Sequence, residues 1–456
     1  MRYRLRDVPA MLLTPGGRRQ VSGGAWYRLW PLLSRLARLH RRTVVRKTRV
    51  VAVVGSFGKS TTARAVATAL AAPIHPSMAS NAWSSAARAV LRIRPSQKFA
   101  VVEVGISGPG QMVRYASMVR PDVTVVTSIG SEHHPLMPTL DVTRAEKVQM
   151  VRALRGSGLA VLNGDDVHVT WMAQHAPGRV VTFGFGERCD VRATDVVLDW
   201  PRGMRFRVNA FGEEREVEIR LVGRQMVYPV LAAIAVAMTE GVPLAEAISR
   251  CGAMPPTPGR MEPIPLPGGA IVLRDEYKGT IDTVYAALDV LDQIPARRRV
   301  VMFGDLSEVQ GREWRAYVSL GMRAARTASL LVTMGRSFRR YWSGARRAGM
   351  PRSAIVDGGR TVQEAAASLR KILQPGDVVL LKGRRGQKLD RIRLILQGRE
   401  VRCDIKLCLV SATECAQCPM LERGWGSHRV IAPGWVPPRA DRDGRIAVRR
   451  RRRRWR

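Results

Sequence analysis

The feature that most constrains this chain is a glycine-rich turn between a short apolar run and a helical pattern. The run Val50-Val51-Ala52-Val53-Val54 is typical of a buried parallel strand. After the turn, Ala and Leu recur at helical spacing up to Leu70. A turn between such elements points backbone N–H groups at phosphate. We therefore predict a phosphate-binding loop made of Gly55, Ser56, Phe57, Gly58, Lys59, Ser60 and Thr61.

The side chains of this loop suit a nucleoside triphosphate. Lys59 would reach the β- and γ-phosphates, and the Ser60 hydroxyl would bind Mg²⁺. Val53 stands where the full G-x-x-x-x-G-K-[ST] spacing has its first glycine, so the motif is a shortened variant. The alternative is an ordinary strand–turn–helix that contains Gly-Lys-Ser by chance.

Short apolar runs alternate with helical patterns through residues 49–257, which indicates an α/β domain with a doubly wound parallel sheet. Polar residues follow three of these runs, at Glu103, His133 and Asn163. The carboxyl ends of parallel strands are where ligands bind in such sheets. Period-two alternation over residues 191–221 predicts a β-hairpin insertion.

Prolines and glycine at residues 255–259 interrupt the pattern, and a second set of apolar runs follows. The second set predicts another small parallel sheet with helices on both faces. We therefore divide the chain into a basic leader (1–48), a central P-loop domain (49–257), a smaller Rossmann-like α/β domain (258–397) and a Cys-bearing, Arg-rich tail (398–456).

The leader contains one amphipathic segment, Ala25–His40, in which Trp26, Trp30, Leu33 and Leu36 recur at near-helical spacing among arginines. A basic amphipathic helix with Trp can lie on a membrane surface. It can also pack its apolar stripe on the next domain, which is the arrangement we expect.

The charge balance favours anionic partners. Lys and Arg number 75 against 37 Asp and Glu, a formal net charge of +38. Nucleotide, nucleic acid, anionic lipid and acidic precursors all fit this charge. Neither a secretory signal nor an apolar run of about 18 residues is evident, and six cysteines do not suggest a disulfide scaffold. We expect a cytoplasmic protein, with contact at the inner face of the membrane left open.

Four cysteines of the tail, Cys403, Cys408, Cys415 and Cys418, have the spacing C-x4-C-x6-C-x2-C. Clustered thiolates suggest Zn²⁺ or an iron–sulfur site, and we favour zinc. The alternative is a set of unrelated free cysteines. The run Arg449–Arg454 is either a solvated tail or a site for nucleic acid or anionic lipid.

The order of motifs resembles the Mur ligase family of ATP-dependent amide-bond ligases over residues 49–397. It leans to the branch that adds D-alanyl-D-alanine to the muramyl tripeptide. Beyond the loop, the matching segments are Glu103-Val104-Gly105, Ile129-Gly130 with His133, Ala145-Glu146-Lys147, Asn163-Gly164-Asp165-Asp166, Gly223-Arg224, Pro258-Gly259-Arg260, Asp275 with Tyr277 and Lys278, Gly304-Asp305 and Lys382-Gly383-Arg384-Arg385-Gly386.

The resemblance implies a reaction and a set of roles. Such ligases phosphorylate a substrate carboxylate with ATP, and an amine then displaces phosphate from the acyl phosphate. Ser60 and Glu103 would hold one Mg²⁺ and His133 a second. The remaining implied roles are metal binding through a carbamoylated lysine at Lys147, phosphoryl stabilisation at Arg260 and Lys278, nucleotide contact at Asn163 and Asp275, and peptide handling at Lys382 and Arg385.

The chain departs from the family pattern at several positions. Phe57 stands for the usual Asn, and Gln225, Met226 and Pro229 stand where the family has His, Asn and Asn near the adenine. Only 54 residues precede Gly55, so we expect the usual UDP-sugar-binding domain to be missing. The sequence Lys278-Gly279-Thr280 is closer to the D-glutamate-adding branch.

Three hypotheses follow. The leading one is an ATP-dependent, ADP-forming ligase that joins an acid to an amino acid or dipeptide. The acceptor would be a peptidoglycan precursor or another peptide or poly-amino-acid chain. The alternatives are a P-loop protein that binds nucleic acid, and a scaffold that keeps the fold without catalysis.

Overall fold

The computed structural model describes residues 26–74, 83–131, 136–307, 313–408, 414–418 and 420–424, with the single positions 9, 12, 18, 22 and 309. His133 and Arg449–Arg454 lie outside these residues. Within them the chain forms two sheets, each with apolar side chains buried on both faces. This confirms the predicted α/β class, with a larger and a smaller sheet.

The larger sheet has eight strands in the order β2-β1-β3-β4-β5-β6-β7-β8. Strands β1 to β6 pair in parallel, and β6, β7 and β8 pair antiparallel. The segment predicted as a β-hairpin is thus a three-stranded meander that extends the sheet. The strands are β1 (Arg49–Val54), β2 (Phe99–Glu103), β3 (Val123–Val126), β4 (Leu159–Asn163), β5 (Arg179–Gly184), β6 (Val191–Asp199), β7 (Gly203–Ala210) and β8 (Glu213–Ile219).

Helices cover both faces of this sheet because alternate residues of each parallel strand point to opposite sides. Val51 and Val53 pack with α2, α7 and α8, whereas Ala52 packs with α1, α3, α4, α5 and α6. None of the described helices is both long and apolar enough to cross a bilayer. The helices are α1 (Trp30–Arg42), α2 (Lys59–Ala69), α3 (Ser84–Leu91), α4 (Gln111–Val119), α5 (Leu140–Arg152), α6 (Val167–Thr170), α7 (Val227–Thr239) and α8 (Leu244–Gly252).

The smaller sheet has the strand order β13-β12-β11-β14-β10-β9, and all pairs but β9–β10 are parallel. Its strands are β9 (Glu262–Pro265), β10 (Ile271–Arg274), β11 (Arg298–Phe303), β12 (Leu330–Thr333), β13 (Ile355–Asp357) and β14 (Asp377–Lys382). The remaining helices are α9 (Ile281–Gln293), α10 (Glu313–Thr327), α11 (Phe338–Arg347), α12 (Val362–Ile372), α13 (Asp390–Leu396) and α14 (Met420–Arg423).

Helix α1 packs on the larger sheet, as expected for the amphipathic segment of the leader. Its first turn contains Pro31, where the missing N–H costs nothing. Trp30 and Leu33 join the core beneath α3 and α4, whereas Leu36 is 44% exposed. The prediction that Leu36 belongs to the packed stripe was wrong, because at about 100° per residue it turns away from Leu33 and Ala37.

A buried arginine fastens the end of α1 to the sheet. Arg41 is 1% exposed, and its Nη2 lies 2.6 Å from Asp122 Oδ2. Its other guanidinium nitrogens donate to the carbonyl oxygens of Val45 (2.8 Å) and Val119 (3.1 Å). Asp122 also accepts from the Val50 N–H at the start of β1. One ion pair thus joins α1, the α4–β3 turn and β1.

We expect Arg41→Met to lower the free energy of unfolding by about 3–5 kcal/mol, because it leaves the Asp122 carboxylate without its partner. Urea unfolding followed by circular dichroism measures this. The exposed neighbour Arg42 provides the control, since Arg42→Met should change stability by less than about 0.5 kcal/mol. Equal effects of the two substitutions would show that the ion pair does not fasten the helix.

Candidate active site

One cavity of about 540 Å³ lies where the carboxyl ends of β1 to β4 meet loops of the smaller sheet. Its walls bring together residues far apart in the sequence; Ser60 and Arg260, which are 200 positions apart, are in direct contact. The predicted site residues that line it are Ser56, Gly58, Lys59, Ser60, Thr61, Glu103, Asn163, Arg260, Asp275 and Lys278, together with Lys382 and Arg385.

The glycine loop lies against the segment after β3. Gly55 has φ +143°, and a Cβ at this position would overlap the Thr127 hydroxyl. The Ser56 N–H donates to Ser128 O (2.7 Å), and Thr127 Oγ1 donates to Phe57 O (2.6 Å). Gly58, at φ +80°, begins α2. The loop therefore has a fixed shape, with the first N–H groups of α2 directed at the cavity.

Lys59 and Ser60 lie at the start of α2. Lys59 Nζ donates to Gly55 O (2.8 Å) and to Ser56 O (2.9 Å), so the ammonium lies across the loop. Ser60 Oγ accepts from Arg260 Nη2 at 3.2 Å. A cation from the smaller sheet therefore reaches the residue that the sequence assigns to Mg²⁺.

Glu103 is the last residue of β2 and is 3% exposed, beside Val53 of β1 in the parallel register. Its carboxylate and the Ser60 hydroxyl line the same cavity. Hard oxygen donors of this kind are the ligands that Mg²⁺ prefers. The donor set therefore fits a magnesium ion.

Lys147 is buried on α5, although its neighbours Arg144 and Glu146 suggest a solvated helix face. It is 1% exposed, and its Nζ donates to Ser56 Oγ at 2.8 Å. The same hydroxyl also exchanges hydrogen bonds with the backbone of Gly130 (2.8 and 3.0 Å). Lys147 thus supports the glycine loop from the side of α5.

Asn163 lines the cavity, but both polar atoms of its amide make hydrogen bonds to neighbouring backbone groups. Nδ2 donates to Thr127 O (2.9 Å), and Oδ1 accepts from the Asp165 N–H (3.0 Å). The side chain therefore links the ends of β3 and β4. This bracing role was not evident from the sequence, which suggested nucleotide contact alone.

An acid–base pair from the smaller sheet closes one side of the cavity. Lys382 Nζ, at the end of β14, contacts Asp275 Oδ2, and Asp275 Oδ1 accepts from the Met261 N–H (3.2 Å). Burial raises the pKa of Asp275 and lowers that of Lys382, while their mutual attraction opposes both changes. The sequence placed these residues in separate roles; the structure pairs them.

Three further cations of the smaller sheet face the loop. Lys278 Nζ donates to Ser56 O (3.3 Å) and lies 4.5 Å from the centre of the Phe57 ring. The guanidinium carbons of Arg260 and Arg385 lie 4.3 and 4.1 Å from the Tyr277 ring centre. Cations held this close together favour an anion between them and the loop.

Sequence reasoning missed a buried charge cluster that lies beside these cations. Arg274 pairs with Glu262 (2.8 Å) and Glu276 (2.7 Å), and Glu262 also accepts from the Gly259 N–H (3.0 Å). Asp390 Oδ1 lies 3.0 Å from the same guanidinium. The sequence does carry a signal for this cluster: Arg274 and Glu276, of opposite charge, flank Asp275 at the end of β10.

The end of the cavity beside α7 is more apolar. Phe183, Met226 and Pro229 line it, and Ala286 faces it from α9. Tyr228 also contributes, with its hydroxyl donating to Asp165 Oδ2 (2.9 Å). The departures noted at Met226 and Pro229 thus lie in the wall, where neither side chain offers an amide.

The structure does not support the predicted zinc site. Among the described residues, no three His, Cys, Asp or Glu side chains are arranged to hold a metal. Burial raises the pKa of Cys415 to about 12 and also raises that of Cys418. Cys403 is buried with Arg391 Nη1 3.2 Å from its sulfur. These cysteines pack the segment after α13.

Family models match both units of the chain. The Mur ligase middle domain matches residues 53–237, and the glutamate ligase domain of Mur ligases matches residues 259–385.

Individual relatives belong to the same family as the matching models. UDP-N-acetylmuramoyl-tripeptide–D-alanyl-D-alanine ligase of Escherichia coli is 26% identical over 62% of this chain and 63% of its own length. The enzyme of the same name from Mycobacterium bovis is 28% identical over 57% and 53%. The chain thus spans about half to two thirds of the length of these relatives.

Solved structures share the fold. MurF from Acinetobacter baumannii superposes with a TM-score of 0.71 at 23% identity, covering 81% of each chain. The MurF ligase of Thermotoga maritima in complex with ADP gives 0.67 at 19% identity, covering 81% of this chain and 83% of its own.

We expect Gly55→Ala to lower the free energy of unfolding by about 1–3 kcal/mol, because the methyl group would displace Thr127 and strain the backbone. Thermal or urea unfolding measures this. Gly268 is the matched control, since no atom lies within 4 Å of a Cβ built there. If Gly268→Ala destabilises the protein as much, the close approach at Gly55 has no special effect.

Proposed function

Because the chain belongs to the Mur ligase family, we propose that it is an ATP-dependent ligase that joins a carboxylate to an amine through an acyl phosphate. The main support is the contact of Arg260 with Ser60, which places a cation of the smaller sheet at the start of the phosphate loop. Lys278 reaches the same loop at Ser56. We retain the limits at residues 48, 257 and 397 as proposed domain boundaries.

In the first step, a carboxylate oxygen of the acid attacks the γ-phosphorus, and the bond to the oxygen that bridges the β-phosphate breaks. ADP leaves with that electron pair. The N–H groups at the start of α2 and the Lys59 ammonium hold the phosphates. Arg260 and Lys278 stabilise the charge that develops on the transferred group. Mg²⁺ held by Ser60 and Glu103 would offset the phosphate charge when bound.

In the second step, the amine nitrogen attacks the acyl carbon and the carbon–oxygen bond to phosphate breaks. Inorganic phosphate leaves, and the nitrogen gives its proton to the phosphate or to water. Arg385 and Tyr277 lie beside Arg260 at the edge of the cavity and would orient this amine substrate. Asp275, paired with Lys382, would contact the nucleotide from the same side.

We also propose that Lys147 is carbamoylated in the active enzyme. The modification would replace an ammonium with a carboxylate, which is a suitable magnesium ligand. Its buried position beside Ser56 supports this role, since an unmodified lysine is seldom fully buried. A second metal site at His133 remains part of the proposal.

For the substrates, we propose a peptidoglycan precursor as the acid and an amino acid or dipeptide as the amine. The relatives' names, which specify a muramoyl tripeptide and D-alanyl-D-alanine, support this class. Lys278-Gly279-Thr280 and the apolar wall at Met226 distinguish this chain within that class, so another peptide acceptor is the alternative. A cytoplasmic location is consistent with such substrates.

The reaction predicts that ADP and phosphate appear only when both an acid and an amine are present. We expect Lys59→Ala to reduce this release by about 100- to 1000-fold, because it removes a cation from the phosphates. Lys98 is an exposed lysine and provides the control, since Lys98→Ala should leave the rate unchanged. Release is measured with a coupled phosphate assay across amino acids and dipeptides.

Other outcomes identify the other hypotheses. Unchanged phosphate release in Lys59→Ala would contradict the ligase proposal. Nucleotide binding without turnover on any pair of substrates would identify a scaffold. Salt-sensitive binding of DNA or RNA without carboxylate-dependent turnover would identify a nucleic-acid-binding P-loop protein.

A second substitution separates catalysis from binding. We expect Arg260→Gln to reduce kcat by about 100-fold while ATP affinity changes little, since the guanidinium acts on the transferred phosphoryl group. The exposed Arg339→Gln is the matched control on the same unit. A loss of ATP affinity with kcat unchanged would instead make Arg260 a ground-state binding residue.

A further inference from the structure

Helix α1 and the residue before it leave a row of leucines exposed on a face turned away from the packed stripe of the helix. Leu33 and Ala37 are buried in the core that α1 shares with α3 and α4. The outward row has the spacing of one helix face, i, i+3, i+7 and i+10. This leucine face consists of Leu29 (45% exposed), Leu32 (54%), Leu36 (44%) and Leu39 (59%).

Arginines border the leucine face along one side. Arg28, Arg35 and Arg42 recur every seven residues, two helical turns apart, and all are exposed. The sequence has no Asp or Glu from residue 8 to residue 102, so no local carboxylate offsets their charge. The surface of α1 is therefore both apolar and strongly cationic.

The packed face of α1 is held too firmly for the helix to turn its leucines inward. The Trp30 ring lies edge-on to Trp83 and to Tyr115, each with centroids 5.6 Å apart. At the other end of α1, Arg41 is bound to Asp122 and three carbonyl groups. These contacts at both ends fix the orientation of α1, so the leucine face stays exposed to solvent.

We propose that the leucine face and its arginine row bind the surface of an anionic lipid bilayer. The leucines would enter the boundary between headgroups and acyl chains, and the guanidiniums would lie at the anionic headgroups. The combination of the two rows points to lipid, because a nucleic acid would attract the arginines and offer nothing to the leucines.

Charge also argues against a second copy as the occupant. Antiparallel pairing of two α1 helices through their leucines would bring the two arginine rows side by side. With no acidic residue in this region of the sequence, such a pair would be repelled. An anionic bilayer satisfies both rows at once. This docking is independent of the proposed ligase reaction.

Vesicle flotation of the full chain tests the proposal without any substrate. The vesicles are phosphatidylcholine alone, or phosphatidylcholine with about 30% phosphatidylglycerol, at about 0.15 M salt. The leucine variant is Leu32→Gln/Leu36→Gln/Leu39→Gln, with Val167→Gln/Val197→Gln as a control on exposed apolar residues elsewhere. The charge variant is Arg28→Gln/Arg35→Gln/Arg42→Gln, with the exposed Arg188→Gln/Arg205→Gln/Arg220→Gln as its control.

The original chain and both controls should float together with the anionic vesicles. With neutral vesicles they should stay at the bottom of the gradient. Each α1 variant should bind the anionic vesicles about tenfold or more weakly, with an unchanged melting temperature. Vesicle binding that the leucine variant retains in full would overturn the proposal. So would a fall in its melting temperature with unchanged vesicle binding, which would show that the chain itself covers the face.

Two further results would also overturn it. A dimer that the leucine variant abolishes, with no flotation of the original chain, would make the face a contact between copies. Binding of duplex DNA that only the charge variant weakens, again with no flotation, would assign the arginine row to nucleic acid.

Discussion

The close approach of Gly55 to the Thr127 hydroxyl is the constraint on which the site depends. The parallel register places the ends of β1 and β3 side by side, so the loop after β1 has to cross the segment after β3 at van der Waals distance. Only a residue without a Cβ fits there at φ +143°. Once the loop has this shape, the start of α2, Glu103 and Asn163 face one cavity.

The second half of the site depends on charge more than on backbone shape. Arg260 and Lys278 approach the loop from the smaller sheet, and both are cations in an already cationic environment. The Arg260 guanidinium lies over the Tyr277 ring, and the Lys278 ammonium lies over the Phe57 ring. Glu262, which pairs with Arg274, accepts from the Gly259 N–H next to Arg260. The arrangement concentrates positive charge at the place where the proposed triphosphate would neutralise it.

The sequence predicted most of the fold because it depends on local patterns: apolar runs of four to six residues, and turns at Gly and Pro. It also predicted the loop, since one motif spans seven consecutive residues. It could not predict contacts set by tertiary packing. The burial of Lys147, the Asp275–Lys382 pair and the exposure of Leu36 each depend on the angle at which one element meets another.

The apolar end of the cavity bears on how the proposed nucleotide would be recognised. Met226 and Pro229 can pack on a base ring but cannot exchange hydrogen bonds with its edge, and Pro229 lacks even a backbone N–H. The Tyr228 hydroxyl already donates to Asp165. Selection between bases rests largely on such edge contacts, because stacking tolerates any ring. The Gln225 amide lines the same cavity and offers a donor and an acceptor, so base selection would rest on that side chain. The loop and the cations of the smaller sheet would then be the principal ligands of the triphosphate.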